Sequence, residues 1–192
     1  MNKIKKHPDF YRMASKFGLI MGLAVSAVHF IFYLLEDRIS SSFAASILTL
    51  IVVIIIVSKA TLSYRKILGG YISYWHAFGY GVVIFMFAGI AGAIYSYIFN
   101  SIDPDYVYRQ LEALKQQMLN SSLMEITDNV ELMRETIEKT ISDQKEALNY
   151  QMQHPFRSIL SATFWNTFLG ALFCFISSAF LRKNRREIIN ES

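Results

Sequence analysis

Formal charge is missing from nearly half of this sequence, and the gaps are continuous. Positions 17–35, 39–58, 71–102 and 158–181 hold no Asp, Glu, Lys or Arg over 19, 20, 32 and 24 residues. A helix that crosses the hydrocarbon core of a bilayer needs about 20 apolar residues, so every gap is long enough. The second one contains LTLIVVIIIV at 48–57. That run is apolar on all faces and leaves no polar side for water, which argues against four buried helices of a soluble bundle. Its β-branched residues suit a buried strand, but the uncharged stretch is too long for an ordinary strand. In hydrocarbon a helix satisfies its own backbone, which overrides a weak intrinsic propensity.

Cysteine is nearly absent too. The single Cys174 excludes an intrachain disulfide and reads as a small buried hydrophobe. No glycine-rich phosphate loop and no zinc-protease pattern occurs. No Asp, Glu, Lys or Arg lies inside the uncharged stretches, where transporters and channels usually need polar or ionisable groups. The sequence therefore nominates no catalytic residue, no metal ligand and no cofactor.

The charges that are present are segregated. Acids are scarce around one set of span ends: the N-terminal arm, the connection holding Lys59, Arg65 and Lys66, and the C-terminal tail together have 12 basic and 3 acidic residues. The other connections have 7 basic and 12 acidic residues. The positive-inside rule then puts both termini in the cytoplasm and the long loop outside. The first span follows Lys3, Lys5, Lys6, Arg12 and Lys16 like a signal peptide, but its apolar run exceeds the usual h-region, so it is expected to be retained. The pI of about 9.1 does not call for nucleic acid. Basic residues flanking spans are accounted for by anionic lipid heads, and membrane lipid is the expected partner.

Positions 101–157 mix polar and apolar residues. Asp103-Pro104 predicts a helix start, with Asp as cap and Pro at the first helical position. Leu111, Leu114 and Met118 share a face. Asn120-Ser121-Ser122 allows a break and matches an N-glycosylation pattern that carries little meaning in a bacterial chain, and Ser122 with Glu125 fits a capping box. Ile126, Val130, Met133, Ile137, Ile141, Leu148 and Met152 then recur at helical spacing until His154-Pro155 stops the run. The pattern predicts two amphipathic helices, the second of about 29 residues and roughly 40 Å. Each needs something to cover its stripe, so the pair is expected to form a hairpin, with self-association as the second choice.

Within the spans, small residues recur every four positions: Gly18, Gly22 and Ser26; Gly89 with Ala93; Ala88 with Gly92 and Ser96; and Asn166, Gly170, Cys174 and Ser178. Such stripes let helices approach closely in lipid, so Gly18, Gly22, Gly89, Gly92 and Gly170 are expected at helix contacts. His29 and Asn166 are the notable polar groups at depth; a structural role is favoured for His29 over proton relay, and an interhelical hydrogen bond for Asn166. The stretch GGYISYWHAFGYG at 69–81 has five aromatics and one histidine. Gly69 and Gly70 suit a turn, while Tyr64, Tyr71, Tyr74 and Trp75 suit an interfacial aromatic belt. The sharper alternative is a ligand site built from Tyr64, Arg65, Tyr74 and His76.

Tyr64-Arg65, Gly70, Ile72-Ser73-Tyr74, Ala77-Phe78 and Gly81, followed by positions 95–99, Asp103-Pro104-Asp105 and the glycine-bearing last span, resemble the domain-of-unknown-function family 4199 of Bacteroidetes-type bacteria. The resemblance covers roughly residues 8–183. It implies a four-span inner-membrane protein with a helical insertion before the last span, and it brings no activity or catalytic residue. Trp75-His76 departs from the usual smaller or polar residues of the family at that place.

The expected fold class is thus all-α, a single polytopic membrane domain over 1–192. Its spans lie at about 17–35, 39–58, 76–100 and 158–181, and 101–157 form an extracytoplasmic helical hairpin between the third and fourth spans. The expected function is non-enzymatic: an accessory or structural envelope protein that binds itself, as a homo-oligomer, or an envelope protein partner through the hairpin. A small-solute or ion transporter or channel is the first alternative. A membrane-embedded enzyme using His76 or His29 is the second.

Overall fold

The structure, a computed structural model, describes residues 9–35, 42–120 and 130–182. Among the described residues it is all-α. Six helices follow in order: α1 (Asp9–Leu34), α2 (Ser42–Ile67), α3 (Tyr74–Ile102), α4 (Pro104–Leu119), α5 (Val130–Gln153) and α6 (Pro155–Leu181). Helices α1, α2, α3 and α6 are each long and apolar enough to cross a membrane. The chain is a membrane protein by this criterion, and its large exposed residues agree. Leu50, Ile54 and Ile55 on α2, and Phe164, Phe168, Leu172 and Ile176 on α6, all face outward. A water-soluble fold does not leave apolar surface on this scale.

The helices run past the uncharged stretches on the basic side. α1 starts at Asp9 rather than 17. α2 continues through Lys59, Arg65 and Lys66, residues that the charge pattern assigned to a connection. α3 starts two residues before 76 and ends two after 100, and α6 starts at Pro155 rather than 158. Lack of charge marks the part of a helix that tolerates lipid. The backbone ladder has no reason to stop there, because Lys and Arg stems carry their charged heads back toward water. Arg65 and Lys66 also sit in the last turn of α2, where cations suit the carbonyl end of the helix dipole.

The chain divides into two compact units, Met1–Ile94 with Leu160–Ser192, and Tyr95–Ile159. The first holds a core of Phe10, Ala14 and Met21 from α1, Val57, Ala60 and Tyr64 from α2, and Ala77, Tyr80 and Ile84 from α3, with Phe173 of α6 packed against it. Glycines set the spacing. A Cβ on Gly18 would lie 2.6 Å from both the Ile84 carbonyl oxygen and Phe87 Cβ, and one on Gly22 would lie 2.7 Å from Ala91 Cβ. α1 therefore lies backbone to backbone on α3. On the other side of α3, a Cβ on Gly170 would overlap the Phe85 ring and one on Gly81 would overlap Cys174 Sγ, while one on Gly89 would lie 3.1 Å from Asn166 Cβ.

The second unit is built around α4 and α5. Asp103 caps α4 as its composition suggests: its carboxylate accepts from Tyr106 N–H at 3.1 Å and from Arg109 at 3.2 Å, with Pro104 opening the helix. Tyr106 packs edge-on against Phe99 with centroids 5.4 Å apart. α4 and α5 are antiparallel. Tyr108 donates to Asn149 at 2.6 Å, Lys145 donates to Glu112, and Lys115 meets Glu138 at 3.7 Å, so partners move up one helix as they move down the other. Ile137 and Ile141 are buried between them with Leu111, Leu119 and Met133.

The hairpin thus closes on itself, with two adjustments to the expected stripe. Leu119 packs inward, whereas Leu114 and Met118 are more than a third exposed. α5 spans 24 residues from Val130. Asn120 ends α4; Ser121, Ser122, Glu125 and Ile126, hence the break, the capping box and the start of the apolar stripe, lie outside the described residues.

Candidate functional site

The stretch at 69–81 begins as a helix stop. Gly70 N–H donates to the Arg65 carbonyl at 2.9 Å and Gly69 N–H to the Lys66 carbonyl at 3.2 Å. These paired bonds close the last carbonyls of α2 in a Schellman motif. The motif needs a left-handed residue, and Gly69 and Gly70 have φ of 79° and 90°. Ile72 is then fully buried. Ser73 caps α3: its Oγ accepts from His76 N–H at 3.4 Å, and its carbonyl accepts from Ala77 N–H at 3.0 Å. His76 Nδ1 lies 3.1 Å from the same Oγ. His76 is therefore held to the start of its own helix by the capping residue.

The four residues proposed as a ligand site are divided among separate tasks. Tyr64 is fully buried, stacked on Tyr80 with centroids 4.4 Å apart and planes 12° from parallel. Phe10 puts its edge against both rings at 5.6 and 5.5 Å. This overturns the belt position expected for Tyr64. The i, i+3, i+4, i+7 spacing of Val57, Ala60, Thr61 and Tyr64, all buried, was the signal for it. Tyr74 reaches across to α6, its hydroxyl donating to the Phe175 carbonyl at 2.8 Å. Arg65 is half-buried on the last turn of α2. Trp75 is 67% exposed and does occupy an outward position suited to an interface.

The polar residues at depth are also placed. Asn166 turns its amide to its own helix, Nδ2 donating to the Ala162 carbonyl at 2.8 Å, in place of the interhelical bond expected of it. In lipid the nearest carbonyl is four residues back, and α6 offers it at no cost in rearrangement. Gly170, Cys174 and Ser178 on the same stripe are buried. His29 lies on an exposed face of α1. Gly18, Gly22, Gly89 and Gly170 lie at close helix contacts, but Gly92 does not: a Cβ there meets nothing within 4 Å. Among the described residues no group of three or more His, Cys, Asp or Glu gathers as metal ligands would.

These contacts bring four helix ends together. Phe10 near the start of α1 touches Tyr64 near the end of α2 and Tyr80 in the second turn of α3, and Tyr74 at the start of α3 bonds α6 close to its end. The basic residues of those ends accordingly share one end of the first unit. The sequence matches, over residues 16–183, a family described as Protein of unknown function (DUF4199). The chain belongs to that family. No curated protein and no solved structure matches it. The DUF4199 match runs from within the first apolar helix through the hairpin to the end of the last apolar helix. The DUF4199 description assigns no reaction, and no site residue transfers from it.

Proposed function

We propose that this DUF4199 protein is a non-enzymatic accessory or structural protein of the bacterial inner membrane. Its termini lie in the cytoplasm, and its hairpin stands outside and binds a second copy or an envelope protein. The self-contained hairpin is the observation that carries this reading. α4 and α5 bury Ile137, Ile141 and Leu111 against each other, so their remaining faces are free to present charge. Those faces are rich in acid, with Glu131, Glu135 and Asp143 exposed on α5. Three of the side chains nominated for chemistry are meanwhile engaged in capping and packing: His76 by Ser73, Tyr64 by Tyr80 and Tyr74 by α6.

Deleting residues 105–151 tests the reading. The shortened chain is expected to stay in the membrane fraction and to lose the proteins that cross-linking and mild-detergent purification recover with the full chain. If those associations persist unchanged after the deletion, the hairpin is not the binding element.

A further inference from the structure

The end of the first unit where four helix termini converge carries an excess of positive charge among the described residues. Arg12, Lys16, Lys59, Arg65, Lys66 and Arg182 are its described basic residues, and Asp9 is its sole described acid. None of the six basic side chains forms an ion pair among the described residues. Aromatic rings lie among them: Tyr11, Tyr71 and Trp75 are 53%, 40% and 67% exposed. Further in along α2 than Lys59, outward-facing Ile55, Ile54 and Ile51 form the apolar surface of that helix. Basic heads and amphipathic rings together at the helix ends, with apolar surface further in, match a leaflet whose headgroup region lies over its acyl chains.

We infer that this basic collar selects anionic phospholipid, its Arg and Lys heads engaging lipid phosphates while Trp75, Tyr71 and Tyr11 lie in the same interfacial zone. The inference rests on the four helices spanning a bilayer and is independent of what the hairpin binds. A lipid is the occupant that the geometry favours over a soluble polyanion. The charges are continuous with lipid-facing surface, so headgroups reach them before anything from solution. Each basic side chain near an anionic surface contributes about 1 kcal/mol. Six charges spread round a rim act as a shared attraction for a ring of lipids.

The test uses the full chain reconstituted in phosphatidylcholine bilayers with either spin-labelled phosphatidylglycerol or spin-labelled phosphatidylcholine as the reporting lipid. The expected result is a preference of at least about threefold for phosphatidylglycerol at low salt, falling toward unity at high salt. The triple variant Arg65→Gln, Lys66→Gln, Arg182→Gln is expected to lose most of that preference. Arg134→Gln with Lys139→Gln in the hairpin is expected to keep it. Equal association of both labels with the unaltered chain overturns the inference, as does full preference in a triple variant whose helical circular dichroism is unchanged. Displacement of phosphatidylglycerol by added polyuridylic acid would mean that the collar is a nucleic-acid surface, and also overturns it. Flotation with phosphatidylcholine vesicles is read separately: a chain that floats but shows no lipid preference loses only this inference, and one that does not float loses the membrane reading itself.

Discussion

Single side chains in this protein are decided by how closely helices approach. At Gly18 the obstruction to a side chain is partly backbone, the Ile84 carbonyl oxygen at 2.6 Å, which cannot rotate away. Gly18→Ala is therefore expected to push α1 off α3 and lower stability by about 2 kcal/mol, in line with over-packing of a tight contact. Gly92→Ala, with open space at its Cβ, is expected to change nothing. Denaturation of both variants in the same detergent, followed by circular dichroism, separates them; equal losses would contradict the α1–α3 contact. The Tyr64–Tyr80 stack gives the opposite sign. Both hydroxyls are buried and find no hydrogen-bond partner among the described residues. An unpaired buried hydroxyl costs about 1–3 kcal/mol. Tyr80→Phe keeps the ring and removes that cost, so its midpoint of denaturation is expected to rise, by about 1 kcal/mol of stability. A lower midpoint would mean that the hydroxyl is satisfied. The glycine stripes of α1 and α6 were legible as four-residue repeats, but repetition alone did not distinguish Gly22 from Gly92. Which glycine faces a neighbour depends on how α3 is rotated against α1 and α6.

The hairpin is the element with its own electrostatics. Glu112 accepts a hydrogen bond from Lys145, and that bond, followed by the attraction of the same ammonium, holds its carboxyl below the usual carboxylate range. A lowered folded pKa means that the pairing supports the hairpin fully above the unfolded-state value of 4.5 and is lost as pH falls through the lower folded value. The α4–α5 pair is thus expected to loosen on acidification below that point, and Lys145→Gln is expected to flatten this part of the pH profile. Amide hydrogen exchange across Val130–Gln153 at pH 7 and at successively lower pH measures it. The loss is expected to be small, because both side chains lie in solvent. The hairpin was anticipated from Asp103-Pro104, the apolar spacing of α5 and the stop at His154-Pro155. Its register was not. Leu114 and Met118 share a helical face with Leu111 on paper, yet α4 turns Tyr108, Leu111, Glu112 and Lys115 toward α5. Two cross-helix ion pairs and the Tyr108–Asn149 bond are satisfied only in that rotation.

At the scale of the whole molecule, the collar and the acidic hairpin predict a direction. In a Cys174→Ser background, Glu131→Cys is expected to react with a membrane-impermeant maleimide added to intact cells, and Lys66→Cys only after permeabilisation. The reverse pattern would invert the proposed topology. The number and class of the long apolar helices were determined by sequence alone, though not their ends, because hydrocarbon imposes one requirement on every residue at depth: no unpaired charge and a self-satisfied backbone. Charge scarcity is local, so it is visible in a linear string. The tertiary structure decided that Tyr64 stacks on Tyr80 in a core rather than in a belt, that Asn166 bonds its own helix, and that three distant basic segments meet at one end. Those outcomes depend on which faces of α1, α2, α3 and α6 come within contact. Helix rotation in lipid is selected by the fit of small residues against particular neighbours, a property of pairs that no single stretch contains.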